Sequence, residues 1–351
     1  MRILIVSDAW SPQVNGVVTS LQALMTELEA LGHQVMLLSP QGFRCRPCPS
    51  YPEIPLAWNL WRVGPMIESF QPDCVHLATE GPLGWAARRW LVKRGLAFSS
   101  AIHTRFPEYI HGRWPWVPLS WGYAFLRLFH RPSQAVLVTT ERMRETFASH
   151  GLVWLNLWRK GVDTALFRPL ALPRPERPVF LCVGRLATEK NLEAFLDLDL
   201  PGDKWVVGDG PLRAELEARY PAARFFGYRR GEELARFYAQ ASVLVFPSLT
   251  DTYGLVMLEA LACGTPVAAF PVAGPLDVLE PGVTGCLDDD LRLACLAALE
   301  LDRERCAERA GRLSWRASAL EFLACQPLLD GEPCIALAPG WEQSCGGEFI
   351  R

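Results

Sequence analysis

The feature that most constrains this chain is an alternation of short apolar runs with amphipathic stretches, broken once by a cluster of prolines and then begun again. Ile3–Val6 reads as a buried strand, and Val17–Leu31 as a helix closed by Gly32. Val35–Leu38, Asp73–Leu77, Ala97–His103 and Ala135–Thr139 predict further strands. Residues 168–178 hold Pro169, Pro173, Pro175 and Pro178, a density that reads as a linker. Beyond it, Val179–Val183, Trp205–Val207, Arg224–Phe226, Val243–Phe246 and Val267–Phe270 predict a second set of strands. Helical stretches such as Leu212–Tyr220, Glu232–Ala239 and Leu255–Cys263 separate them. Short apolar strands joined by helices predict parallel sheets covered on both faces. The expected fold class is therefore α/β, with two Rossmann-like doubly wound domains facing a central cleft. Ligands of such folds sit at the carboxyl ends of the strands, and a cleft between two such domains is the natural site.

Length and composition agree with two domains. The 351 residues, half of them hydrophobic, suffice for two cores of about 150 residues each. The expected division is 1–170 for an N-terminal Rossmann-like domain and 171–314 for a C-terminal Rossmann-like domain. Residues 315–327 are expected to cross back to the first domain, and 328–351 to form an irregular tail. A net charge of −3 gives no global pull toward nucleic acid. The opening Met1–Asp8 run is too short for a signal peptide, and no stretch reaches the roughly 20 apolar residues of a membrane span. A cytoplasmic protein is expected, with a peripheral role at the inner face of the membrane left open. Eleven cysteines are scattered, and the Cys45–Cys48 pair has no second pair at zinc-finger spacing, so reduced thiols are expected.

The stretch 247–266 is the richest in chemistry. Its loop holds Asp251, and Gly254 lets the backbone come close to a ligand. Free N–H groups around Thr252, Tyr253 and Gly254 stand where a helix begins, which suits a phosphate. Glu259 is a carboxylate in an otherwise apolar helix, costly to bury unless hydrogen-bonded. Vicinal ribose hydroxyls would satisfy it; a place on a solvent stripe is the other option for that helix alone.

Asp251, then Glu259 before Ala260-Leu261-Ala262-Cys263-Gly264-Thr265-Pro266, resembles the acidic signature of the retaining family-4 glycosyltransferases (glycosyl transferases group 1), of the GT-B fold. The family usually has Glu where this chain has Asp251. The resemblance implies a nucleotide-sugar donor, UDP- or GDP-linked, and no metal or other cofactor. Val183–Asn191 is similar to the strand–loop in which Arg185 and Lys190 would clamp the donor diphosphate. Gly161–Pro169 resembles the family's G-V-D-x-x-x-F-x-P. Gly208-Asp209-Gly210 resembles its glycine turn, and Phe226-Gly227-Tyr228 the segment that meets the base. Gly16 matches the glycine loop of the first domain, close to the donor phosphates. His103 matches the histidine beside the donor sugar, and Glu80 is expected near the acceptor. His103, Asp251, Arg185 and Lys190 are the expected catalytic set; Gly16, Gly210, Tyr228, Thr252, Tyr253, Gly254 and Glu259 complete the expected donor contacts.

Residues 81–140 carry eight Lys or Arg against one acid, Glu108, and include Trp85, Trp90, Trp114, Trp116 and Trp121. Basic residues interleaved with tryptophan suit an anionic membrane surface. The expected acceptor is a lipid such as diacylglycerol or a lipid-linked glycan; no nucleic-acid recognition motif is present. Other readings of the same pattern are a nucleotide-sugar epimerase, a non-catalytic binding protein and a dinucleotide-dependent oxidoreductase. The last lacks its glycine fingerprint, because a single glycine, Gly16, follows the first strand.

Overall fold

The computed structural model describes residues 1–11, 13, 15–48, 51–114, 116–173, 175–251 and 253–330. The chain divides into two compact units, Met1–Lys160 with the C-terminal residues from Trp315, and Gly161–Ser314. In the first unit the strands are β1 (Arg2–Val6), β2 (Gln34–Leu38), β3 (Cys45–Cys48), β4 (Tyr51–Ala57), β5 (Cys74–Leu77), β6 (Ser99–Ile102), β7 (Ala135–Val138) and β8 (Leu155–Leu157). Six of them form a parallel sheet in the order β2-β1-β5-β6-β7-β8. In the second unit β9 (Val179–Val183), β10 (Asp203–Val207), β11 (Arg224–Phe225), β12 (Val243–Phe246), β13 (Val267–Ala269) and β14 (Gly285–Leu287) form a parallel sheet in the order β11-β10-β9-β12-β13-β14. Both are doubly wound α/β sheets whose order reverses once, between β1 and β5 and between β9 and β12.

Burial on both faces explains why the strands are continuous apolar runs. In β1, Ile3 and Ile5 join one core, while Leu4 and Val6 join the core on the opposite face. In β9, Val179 and Leu181 face one side and Phe180 and Cys182 the other. β3 and β4 were not expected. They form an antiparallel hairpin that pairs Cys45 with Ala57, and the Cys45–Cys48 pair bounds its first strand. β8 and β14, short edge strands, were also missed.

The division between the units falls at Lys160/Gly161, earlier than the proline cluster suggested. Val162 donates its N–H to Leu313 O, and Val162 and Phe167 sit in the core of the second unit, with Leu170 and Leu172 packed against it. The apolar residues among the prolines therefore bind this stretch to the second unit. Trp315–Ala324 is a helix of the first unit: Ala319, Phe322 and Leu323 pack with Leu21, Leu24 and Leu28 of the helix Gly16–Ala30. Ser318 Oγ accepts from Trp158 Nε1 at 3.0 Å, and Glu321 accepts from both the backbone and the side chain of Arg159. Leu329 is tied by backbone bonds to Asp73 and Ala97; the rest of the expected tail, 331–351, lies outside the described residues.

Glycine contacts fix the loops of the second unit. A Cβ on Gly208 would lie 1.8 Å from Gly184 O, in a backbone with φ +144°. Gly208→Ala is expected to cost about 2–4 kcal/mol in urea unfolding. Gly311→Ala, where nothing lies within 4 Å, should leave stability unchanged or slightly higher.

Candidate functional site

The reversal of strand order in the second unit leaves a gap that the pairing itself enlarges. β9 and β10 are paired along their whole length, up to Val183–Val207. β9 and β12 are paired only at Phe180–Val243 and Leu181–Leu244. Beyond Leu181 and Leu244 the two strands part, and their carboxyl-end loops line a small cleft that includes Gly184, Arg185, Lys190, Pro247 and Ser248.

The two loops are held in fixed relation by side chains. Thr188–Lys190 is a single 3-10 turn, ended by Asn191 in the left-handed region at φ +51°. Asn191 Nδ2 donates to Pro247 O at 3.1 Å, and Ser248 Oγ donates to Glu189 O at 3.1 Å. Between these ties Lys190 Nζ reaches Asp251 Oδ2 at 2.6 Å. Lys190 and Asp251, expected on different parts of a donor, are thus brought into one ion pair. Arg185 is exposed at the mouth of the same cleft.

Of the other expected residues of this unit, Gly210, Tyr228, Tyr253 and Gly254 lie in the loops after its strands. Gly210 packs on Leu186, where a Cβ would lie 2.5 Å from the carbonyl oxygen, so its absence of a side chain serves loop stacking. Tyr228 follows β11 and is half exposed, next to Gly227 at φ +70°. Gly254 takes φ +70° at the start of the helix Leu255–Ala262, and a Cβ there would strike Phe246 Cζ at 2.8 Å and Met257 Cε at 2.9 Å. Tyr253 packs against the core of the unit. Thr252 lies outside the described residues.

Glu259 is not on a solvent stripe. Its Oε2 accepts the Tyr238 hydroxyl at 2.7 Å. Burial pushes the carboxyl up to about 7, against the Tyr238 bond, which lowers it. Tyr238 is the residue that sequence reading missed here. It lies on another helix, Gly231–Gln240, and nothing local marks it as a partner.

The first unit closes its own switch point differently. Asp8, after β1, accepts from Leu83 N at 2.9 Å, Gly84 N at 3.3 Å and Thr79 Oγ1 at 2.9 Å. In the sequence, Asp8 stands out only as the first charge after the opening apolar run. Burial raises its carboxyl; the bonds from Leu83, Thr79 and Gly84 lower it, and Glu80's charge adds to the rise. Glu80 stands 3.3 Å from His130 Nε2, and His130 Nδ1 is 2.8 Å from Ser100 Oγ. His103 follows β6, edge-on to Trp158 at 5.6 Å. Burial, then the charges of Lys160 and His76, hold its imidazole well below the usual range, so it is neutral. Gly16 opens the helix Gly16–Ala30, but Asn15 Oδ1 already accepts from Val17 N at 3.1 Å and Val18 N at 3.0 Å. The helix start expected to meet phosphates is capped by its own asparagine. Pro12 and Val14 of that loop lie outside the described residues.

Of the five tryptophans in 81–140, Trp85 packs on Phe125 and Phe129, and Trp90 lies beneath Arg94 at 4.1 Å. Trp116 and Trp121 are exposed, at 76% and 70%. Among the described residues, no group of three His, Cys, Asp or Glu gathers as a metal site would require, and no helix is long and apolar enough to cross a membrane.

Residues 14–166 match Glycosyltransferase Family 4, and residues 177–300 match Glycosyl transferases group 1. A GDP-mannose-dependent alpha-mannosyltransferase of Mycobacterium tuberculosis is 30% identical over 82% of this chain and 83% of its own length. An alpha-monoglucosyldiacylglycerol synthase of Streptococcus pneumoniae is 27% identical over 85% of this chain and 78% of its own. The solved sucrose-phosphate synthase of Thermosynechococcus elongatus superposes with a TM-score of 0.73 at 21% identity, covering 92% of this chain and 97% of that one. That likeness is one of fold, the GT-B architecture.

The Glu259 carboxyl gives a pH signature. In the folded chain it keeps its proton to about pH 7, whereas the unfolded chain releases it near the ordinary value of 4.5. Its ionisation therefore weakens the fold as pH rises through that window. Glu259→Gln should gain stability relative to wild type between pH 5 and pH 8, read from denaturant midpoints at both values.

Proposed function

The chain belongs to the family-4, group 1 glycosyltransferases, and we propose on that footing that it moves a hexose, with retention and without a metal cofactor, from a nucleotide diphosphate sugar to a membrane lipid or lipid-linked glycan. The observation that carries the donor half is the splayed β9–β12 switch point, with Lys190, Arg185 and Asp251 gathered at it. Two cations there would neutralise the pyrophosphate and stabilise the departing nucleoside diphosphate. Asp251 and the Gly254 loop would hold the sugar hydroxyls. Glu259, already hydrogen-bonded to Tyr238, would take the ribose, and Tyr228 the base. In the reaction the bond from the sugar's anomeric carbon to the diphosphate oxygen breaks. The acceptor oxygen bonds that carbon on the same face, and its proton passes to the leaving phosphate. The enzyme supplies positioning and electrostatics.

GDP-mannose is the first donor to try, because the mycobacterial relative is named for it. A lipid acceptor is supported by the streptococcal relative, named for diacylglycerol, and by one helix. Leu119–His130 turns Tyr123, Leu126, Phe129 and His130 inward. Its outer face carries Trp121 and Leu128, at 70% and 60% exposure, beside Arg127 and Arg131. Such a face suits shallow insertion at the inner face of an anionic membrane.

Two experiments test this reading. In a thermal-shift assay, GDP or UDP at 100 times its dissociation constant should stabilise the fold by about 2.7 kcal/mol; Lys190→Ala and Glu259→Ala should lose the response. A folded wild type that responds to no nucleotide would reject the donor site. Wild type should also sediment with anionic liposomes at low salt. A double variant, Trp121→Ser with Leu128→Ser, should stay in the supernatant and keep its nucleotide response.

A further inference from the structure

Lys190 and Asp251 are paired at 2.6 Å, yet the donor-site reading assigns the ammonium to phosphate and the carboxylate to sugar. The pair is built in. Asn191 to Pro247 and Ser248 to Glu189 fasten the two loops on either side of it. About a quarter of each side chain remains open, 28% and 24%, so a ligand can reach both. A diphosphate arriving at Lys190 meets a carboxylate already there, and the two negative groups repel at close range.

We propose that Asp251 is the resident counter-ion of Lys190, exchanged for the diphosphate when the donor binds. The exchange frees the carboxylate to accept hydroxyls of the donor sugar. Once the sugar has been transferred, Asp251 has nothing to hold and returns to Lys190, which speeds the departure of the nucleoside diphosphate. The side chain thus favours the complex with intact donor and opposes the complex with spent donor. This rests on the donor-site reading above, and it assigns to one residue opposite effects on two ligands that share the same diphosphate.

The test is calorimetric titration of the full chain with GDP and UDP, and with the matching nucleotide sugars, for wild type, Asp251→Asn and Lys190→Ala. Asp251→Asn should bind the nucleoside diphosphate roughly tenfold tighter than wild type, and bind the nucleotide sugar no tighter than wild type does. Lys190→Ala should bind both more weakly. Asp251→Ser makes the same comparison should the asparagine variant not fold. Equal or weaker nucleoside diphosphate binding by both Asp251 variants overturns the proposal and leaves the donor site standing. A wild type that binds neither GDP nor UDP overturns both together.

Discussion

The parting of β9 from β12 is the constraint on which the rest of the second unit depends. A parallel sheet wound on both faces must reverse its strand order somewhere, and at that point the crossovers leave toward opposite faces. In this unit the ladder stops at Leu181 and Leu244, so the loops that follow diverge before they turn. Backbone groups there lack a neighbouring strand, and the chain supplies side-chain bonds instead, through Asn191 and Ser248. The glycines then become necessary. Gly184 and Gly208 stack so closely that neither loop could sit where it does with a side chain on Gly208. A rigid floor of this kind lets Lys190 and Asp251 be held at fixed separation.

Charge is distributed to match. The cleft of the second unit holds cations, Arg185 and Lys190, with a single carboxylate as partner to the lysine. Glu259 stands apart, with a Tyr238 hydroxyl and, among the described residues, no cation bonded to it, and burial dominates its proton affinity. A carboxyl in that condition gains by accepting further hydroxyl donors. The first unit shows the opposite arrangement. At its switch point β1 and β5 stay paired as far as Val6 and Leu77, and Asp8 fills the space beyond with bonds to Thr79, Leu83 and Gly84.

Most of the fold was legible because apolar runs bounded by glycine and proline mark buried parallel strands directly. β1, β2, β9 and β12 fall within a residue of where the sequence puts them. What was missed lacked such a signal. β8 and β14 are edge strands of three residues, too short for periodicity to register. The β3–β4 hairpin carries Pro47, Pro52 and Pro55, which read as loop because proline is tolerated only where no ladder bond is needed. The linker was misplaced for a similar reason: prolines mark irregular backbone and do not say which core the intervening Phe167 and Leu170 will join. In the candidate site, motif order singled out Lys190, Asp251, Gly254 and Glu259, but motifs say nothing of pairings across the chain. The Lys190–Asp251 and Tyr238–Glu259 contacts join residues 61 and 21 positions apart and carry no local signal; the Asn15 cap of the Gly16 helix is local, an asparagine just before a helix start.

The tryptophan-rich segment shows where composition stops being informative. Interleaved Arg and Trp have two physical uses, and both are present. Trp85 and Trp90 are half-buried against the core with Arg88 and Arg94 over their rings, and Arg88 also caps the helix Leu119–His130 by donating to Leu128 O and Phe129 O. Those cations are committed to the fold. Trp116 and Trp121 face solvent, and with Leu128 they leave apolar area that no described residue covers. An exposed tryptophan costs little when it stands alone, but Trp121 with Leu128 seven residues on, flanked by Arg127 and Arg131, forms a face of the helix Leu119–His130 whose burial would be favourable in a headgroup layer. A membrane contact of this kind would use one face of one helix, a much narrower and more easily mutated target than the whole sixty-residue segment.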